Sequence, residues 1–151
     1  MIRTLLKIWQ ALPMWMHVLA MRLARPKFRA AVAALIFDEE GRILLFKHTY
    51  RKFEWGLPAG GLEHREQPID AITREFREET GMEIKVERLL TVVSAREDHN
   101  LSVIYLCSIV NGEFRESSEI SEMKYFPVNQ LPAMMLTAEK ELIQWAVKEI
   151  R

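Results

Sequence analysis

Between residues 60 and 82 the chain reads GGLEHREQPIDAITREFREETGM, and its acids fall at close, regular spacing. Pro68 to Thr80 has the apolar period of a helix, with Pro68 in the first turn and Gly81 as its stop. On such a helix Ile69, Ile72 and Phe76 make the expected buried stripe, and Glu75, Glu78 and Glu79 project together from a neighbouring face. Three carboxylates so placed repel one another, and a hard, oxygen-seeking cation such as Mg²⁺ relieves the repulsion. Arg74 stands four residues before Glu78 and can orient it. Arg74 and Arg77 would equally serve a solvated, salt-bridged face, so the helix alone leaves both readings open. The preceding GLPAGG favours the cation. Glycines leave no side chain in the way, so their backbone N–H and C=O groups can approach a metal-bridged phosphate.

These residues resemble the signature of a known family. Gly60, Glu66 after five intervening residues, and Arg74-Glu75-Phe76-Arg77-Glu78-Glu79-Thr80-Gly81-Met82 after seven more fill every position of the Nudix box, G-x5-E-x7-R-E-U-x-E-E-x-G-U, with U apolar. The flanks WGLPAGGLE and EISEMKYFPVNQLP are similar to those of Nudix hydrolases, and the likeness covers about residues 28 to 150. It implies a Nudix hydrolase that attacks a pyrophosphate bond with a metal-activated water. The substrate class would be a nucleoside diphosphate linked to another moiety, such as a nucleotide sugar or ADP-ribose. A (deoxy)nucleoside triphosphate pyrophosphatase, releasing NMP and pyrophosphate, would use the same box.

On this resemblance Glu75, Glu78 and Glu79 are catalytic and bind Mg²⁺, or Mn²⁺ in its place, with the Gly60 carbonyl completing the coordination. Arg74 orients the glutamates, and Glu66 has a structural role, paired with Arg74. The general base varies across the family, and Glu97, Asp98, His99, Glu119 and Glu122 are the candidates here. The loop HTYRKFEW offers Lys47 and Arg51 for phosphate and Tyr50 and Trp55 for a base, although the same residues would also pack an edge strand. The proline common downstream of the box in ADP-ribose hydrolases is missing from SARED. His99 and Asn100 stand where dinucleoside polyphosphate hydrolases often carry a tyrosine.

The elements that must position these groups follow from period and punctuation. FRAAVAALIF at 28–37 and RILLFKHT at 42–49 read as strands joined by DEEG, and a hairpin is expected. MEIKVERLLTVVSARE and LSVIYLCSIV read as a second antiparallel pair, and MKYFPV as a short strand. Thr137 can cap a last helix whose buried stripe would be Leu142, Ala146 and Ile150, with Ile143 and Val147 alongside. The order of elements gives an α+β class with a helix on each side of a mixed sheet, and the resemblance implies that this is a Nudix-type α/β/α sandwich.

At 151 residues the chain suits one domain, read as residues 28–151, with an N-terminal amphipathic helical extension over 1–27. Net charge is zero, so nucleic acid is no obligate partner; a small-molecule nucleotide is the partner that the resemblance implies. The single Cys107, in an apolar run, reads as a buried core thiol and fits a reducing cytoplasm. Six basic residues and no acid precede Asp38. The extension would dock on its own domain, on the second subunit of a homodimer, or as a peripheral contact on an anionic membrane surface.

Overall fold

The computed structural model describes residues 9–10, 12–24, 29–95 and 100–150. Val32–Ile36 and Ile43–Phe46 are unbroken apolar runs, the pattern of strands covered on both faces. Each becomes an inner strand. β1 (Arg29–Ile36) lies inside a four-stranded sheet ordered β4-β1-β6-β5, and β2 (Ile43–His48) is the middle of a three-stranded sheet ordered β3-β2-β7. The first sheet adds β4 (Ala59–Gly61), β5 (Glu83–Ala95) and β6 (Asn100–Asn111). The second adds β3 (Trp55–Gly56) and β7 (Ile120–Phe126).

The hairpin expected between β1 and β2 does not form. The two strands share only the isolated bridge Phe37–Ile43. β1 instead runs parallel to β6, from Arg29 opposite Asn100 to Ile36 opposite Cys107, and antiparallel to β4. A hairpin would leave both apolar strands in one sheet, whereas separation gives each strand two neighbours of its own. The turn between them is pinned locally. Asp38 Oδ1 accepts the Arg42 N–H at 2.8 Å, and Gly41 takes φ +74°, a conformation open to glycine. The expected pairing of β5 with β6 is observed, with register shifts along β5.

The strand period of two sorts the core. Val32, Ala34, Ile36, Leu44 and Phe46 pack on Ile72 and Phe76 of α2 (Pro68–Thr80). Ala33, Leu35, Ile43 and Leu45 pack on Ile143 and Ala146 of α3 (Thr137–Ile150). The sheets therefore lie between the two helices as an α/β/α sandwich. In α3 the buried line runs through Ile143 and Ala146, and Ile150, expected inside, is exposed. The helix α1 (Met14–Ala24) precedes β1 and contributes no buried residue. No helix among the described residues is long and apolar enough to cross a membrane.

Candidate active site

α2 begins at Pro68 after an extended Gln67 and ends at Gly81, whose φ of 72° turns the chain sharply. The last turn is fixed from three sides. The Gly81 N–H donates to the Arg77 carbonyl at 2.8 Å, Thr80 Oγ1 donates to the Phe76 carbonyl at 2.6 Å, and the Arg115 N–H donates to the Thr80 carbonyl at 2.9 Å. This stop sets the rotation of the helix, and the rotation differs from the periodic expectation. Ile69 is exposed, and the buried residues are Ala71, Ile72, Phe76, Glu79 and Thr80. Glu79 therefore sits on the core-facing side, seven residues after Ile72, while Glu75 is half-buried and Glu78 exposed.

The three glutamates are thus in different environments. Glu79 is 8% exposed, and its Oε2 has no hydrogen-bond partner among the described residues. Burial, and next the Glu75 and Glu119 carboxylates, push its carboxyl up to about 7. Glu75 and Glu78 instead meet one cation, with Arg74 Nη1 lying 3.0 Å from Glu75 Oε1 and 3.2 Å from Glu78 Oε2. Arg74 also holds Glu66 at two points, as the resemblance implied, and donates to the Gly61 carbonyl at 3.1 Å. The Arg74 hydrogen bonds, and next the Glu63 N–H on Glu66 Oε2, hold the Glu66 carboxyl at about 2. Gly60 lies so close to Glu75 that a Cβ there would collide with the glutamate's Cγ and Cδ, so the glycine is a steric requirement.

Gly60, Glu75 and Glu79 line a cavity of about 660 Å³ together with Tyr50, Arg51 and Glu119, whereas Glu78 and Arg74 are not among its lining residues. Arg51 and Tyr50 form a unit: the guanidinium carbon lies 5.6 Å from the ring centroid and Nη2 donates to the phenol oxygen at 3.4 Å. Lys47 and Trp55 do not line this cavity. Lys47 is 4.0 Å from Glu54 and 3.9 Å from Glu122, and the Trp55 ring packs edge-on against Phe126 at 4.8 Å. Of the candidate bases, Glu119 faces the cavity, Glu122 is taken up with Lys47, and Glu97, Asp98 and His99 lie outside the described residues. A larger cavity, about 710 Å³, lies away from the acidic helix. It borders Cys107, whose thiol is buried and pushed up to about 12 by that burial.

Arg29 and Asn100 also line the acidic cavity, and sequence reasoning missed both. They open two parallel strands as register partners, a long-range pairing that leaves no local pattern. His48 and Glu139 were missed as well. His48 Nε2 and Glu139 Oε2 each come within 3.3 Å of the place a Cβ on Gly56 would occupy, and neither atom has a hydrogen-bond partner. Burial lowers the His48 imidazole to about 4 and raises the Glu139 carboxyl to about 7.

Among the described residues no three acidic, histidine or cysteine groups already converge tightly enough to hold one metal ion. The local chemistry nonetheless fits a divalent cation. A buried carboxylate oxygen without a donor, beside further carboxylates and a bare glycine backbone, lacks only positive charge.

An α/β/α sandwich with an acidic helix and a glycine loop at one cavity defines a recognisable class. The NUDIX domain profile matches residues 27–146. The chain is 32% identical over 111 residues to an ADP-ribose pyrophosphatase of Methanocaldococcus jannaschii, covering 70% of this chain and 66% of that protein. Among solved structures it is similar to a UDP-X diphosphatase, at 27% identity and a TM-score of 0.72, over 99% of this chain and 80% of the other. A MutT NUDIX hydrolase from Burkholderia pseudomallei superposes with a TM-score of 0.66 at 31% identity, over 79% of this chain and 98% of the other. The chain belongs to the NUDIX family of hydrolases, whose members generally use divalent metal ions.

Proposed function

We propose that this chain hydrolyses the phosphoanhydride bond of a nucleoside diphosphate linked to a second group. The observation that carries the reading is Glu79: a buried carboxylate without a donor among the described residues, at a cavity that Arg51 also lines. Glu75, Glu78 and Glu79 would hold Mg²⁺ or Mn²⁺ together with the Gly60 carbonyl. Glu78 is exposed and shares Arg74 Nη1 with Glu75, which holds the two carboxylates side by side. When bound, such an ion supplies charge neutralisation of the diphosphate and a more acidic water.

The chain's own residues do the rest. Arg74 fixes Glu75 and Glu78 against the loop through Glu66 and the Gly61 carbonyl. Arg51 and Arg29 supply positive charge for the phosphates, and the exposed Tyr50 ring supplies a face for the base. Glu119 is the described candidate placed to take the proton of the attacking water.

Relatives named for ADP-ribose and for UDP-linked substrates favour diphosphate derivatives over triphosphates. ADP-ribose stays among the substrates to test, even though the downstream proline is missing. The test is a metal-dependent hydrolysis screen over nucleotide sugars, ADP-ribose and nucleoside triphosphates, beside Glu79→Gln. A nucleoside monophosphate plus a phosphorylated second moiety is expected. Release of pyrophosphate from triphosphates would favour the other reading, and equal rates for wild type and variant would remove the catalytic one.

A further inference from the structure

The least satisfied surface of the molecule is α1. Met14, Trp15, Val18, Leu19, Met21 and Leu23 all stand exposed, Trp15 by 65% and Leu23 by 79%. They share one broad side of the helix, while Met16, His17 and Ala20 on the other side are half-buried, and an exposed apolar side of this extent requires cover. Its 11 residues span roughly 16 Å at 1.5 Å each, about half a bilayer's hydrocarbon core, so it cannot cross one.

Charge decides what covers it. Arg22 stands two turns after Trp15 on the side that carries Val18 and Leu19, and the helix contains no acid. Six basic residues and no acidic one precede Asp38 in the chain. A symmetric contact between two copies of α1 would set these like charges against each other. A negatively charged apolar layer accepts both features.

We propose that α1 docks on an anionic lipid bilayer. It lies in the interfacial plane, its Trp15 and leucines at the acyl boundary, and Arg22 on the same side extends its long stem back to the headgroups. Trp9 stands on the other side of the helix, beside His17. Its ring stacks on His17 at 4.5 Å, and His17 Nε2 donates to the Trp9 carbonyl at 2.6 Å. Five residue steps separate Ala24 from Arg29, at most about 18 Å of chain. Docking therefore holds the acidic cavity, which Arg29 lines, close to the lipid surface.

The experiment is co-sedimentation of the full chain with phosphatidylcholine vesicles, with and without phosphatidylglycerol, together with tryptophan fluorescence. Binding to the phosphatidylglycerol vesicles, a blue shift, and weakening by added salt are expected. The double variant Trp15→Ser, Leu19→Ser should bind at least about tenfold more weakly, and Arg22→Glu should lose the preference for anionic lipid. Both should keep wild-type hydrolysis and melting temperature, because α1 buries nothing in the domain. Equal or absent binding to the two vesicle types overturns the proposal. So does a dimer in sedimentation velocity that the double variant dissolves while vesicles capture nothing; α1 is then an interface between copies. The readout is independent of hydrolysis, so its failure leaves the catalytic reading standing.

Discussion

Arg74 clasps Glu66 across eight residues of chain through two parallel hydrogen bonds, Nε to Oε1 and Nη2 to Oε2, both 2.8 Å. The remaining nitrogen of the same guanidinium reaches Glu75 and Glu78. One planar cation therefore ties the approach loop to the helix and aims two of the three box glutamates. A lysine carries the charge but not the fork.

Arg74→Lys should consequently weaken divalent-ion affinity about tenfold to hundredfold, the usual cost of removing a group that orients metal ligands. The check is a Mg²⁺ titration of kcat. Glu66→Gln keeps one acceptor and should show a smaller shift in the same direction. If Arg74→Lys leaves the Mg²⁺ midpoint unchanged, the orienting role is wrong.

Gly60→Ala tests the close approach of loop and helix. A Cβ there would meet Glu75 Oε1 at 2.6 Å and its methylene carbon closer still, so the glutamate must swing away. The neighbour is a side chain, so the fold should survive. A displacement of about 1 Å can cost about a hundredfold in rate, and kcat should fall by that order with little change in melting temperature. Gly56→Ala is the milder control. Its closest contacts, His48 Nε2 and Glu139 Oε2 at 3.3 Å, need yield only slightly.

Glu79 makes a pH prediction. Its folded pKa of about 7 lies above the ordinary 4.5, so the native state binds a proton the unfolded chain has already released. Stability is then lost as pH rises from about 4.5 through 7, by up to about 3 kcal/mol at roughly 1.4 kcal/mol per unit. His48 has the opposite slope. Its folded pKa is lowered to about 4, so its contribution falls as pH drops below about 6.5. The measurement is therefore the difference in chemical-denaturation free energy between wild type and Glu79→Gln in a chelator, at pH 5 and pH 8. The variant should gain on wild type at pH 8. Added Mg²⁺ should stabilise wild type at pH 8 and do much less for the variant. A difference that does not change with pH refutes the buried-carboxylate account.

The box was legible because it is a short-range pattern: fixed spacings on one helix with a proline start and a glycine stop. The depth of each glutamate was not legible. Helical periodicity alone put Ile69 inside, whereas the Thr80–Gly81 stop and the Phe46–Phe76 contact at 5.5 Å turn the helix so that Glu79 goes in instead. The hairpin expectation failed for a related reason. Two adjacent apolar strands look like partners locally, but β1 finds β6 some seventy residues away. Arg29 and Asn100 meet at the cavity only through that parallel pairing. Tyr50 and Arg51 were found in a loop rich in rings and cations. Sequence could not separate them from Lys47 and Trp55, because the division depends on which of these residues the folded chain brings to the cavity.

That division supplies the last prediction. Arg51 lines the cavity beside Tyr50, and its charge is felt at Glu79, Glu139 and His48 alike. A hydrogen bond to a charged phosphate is worth about 1.5–3 kcal/mol, so Arg51→Ala should reduce kcat/KM roughly tenfold to 150-fold. Most of the loss should fall in KM if the contact exists equally in the ground and transition states. Tyr50→Ala should also raise KM, and more so for substrates with a purine base if stacking is its role. Lys47 bridges Glu54 and Glu122 across exposed distances of 4.0 and 3.9 Å, pairs worth about 0–1 kcal/mol, and it lies outside the cavity. Lys47→Ala should leave kcat/KM within about threefold of wild type. Steady-state kinetics on one substrate separates the cases: a Lys47 effect as large as that of Arg51 would move phosphate recognition to the other sheet.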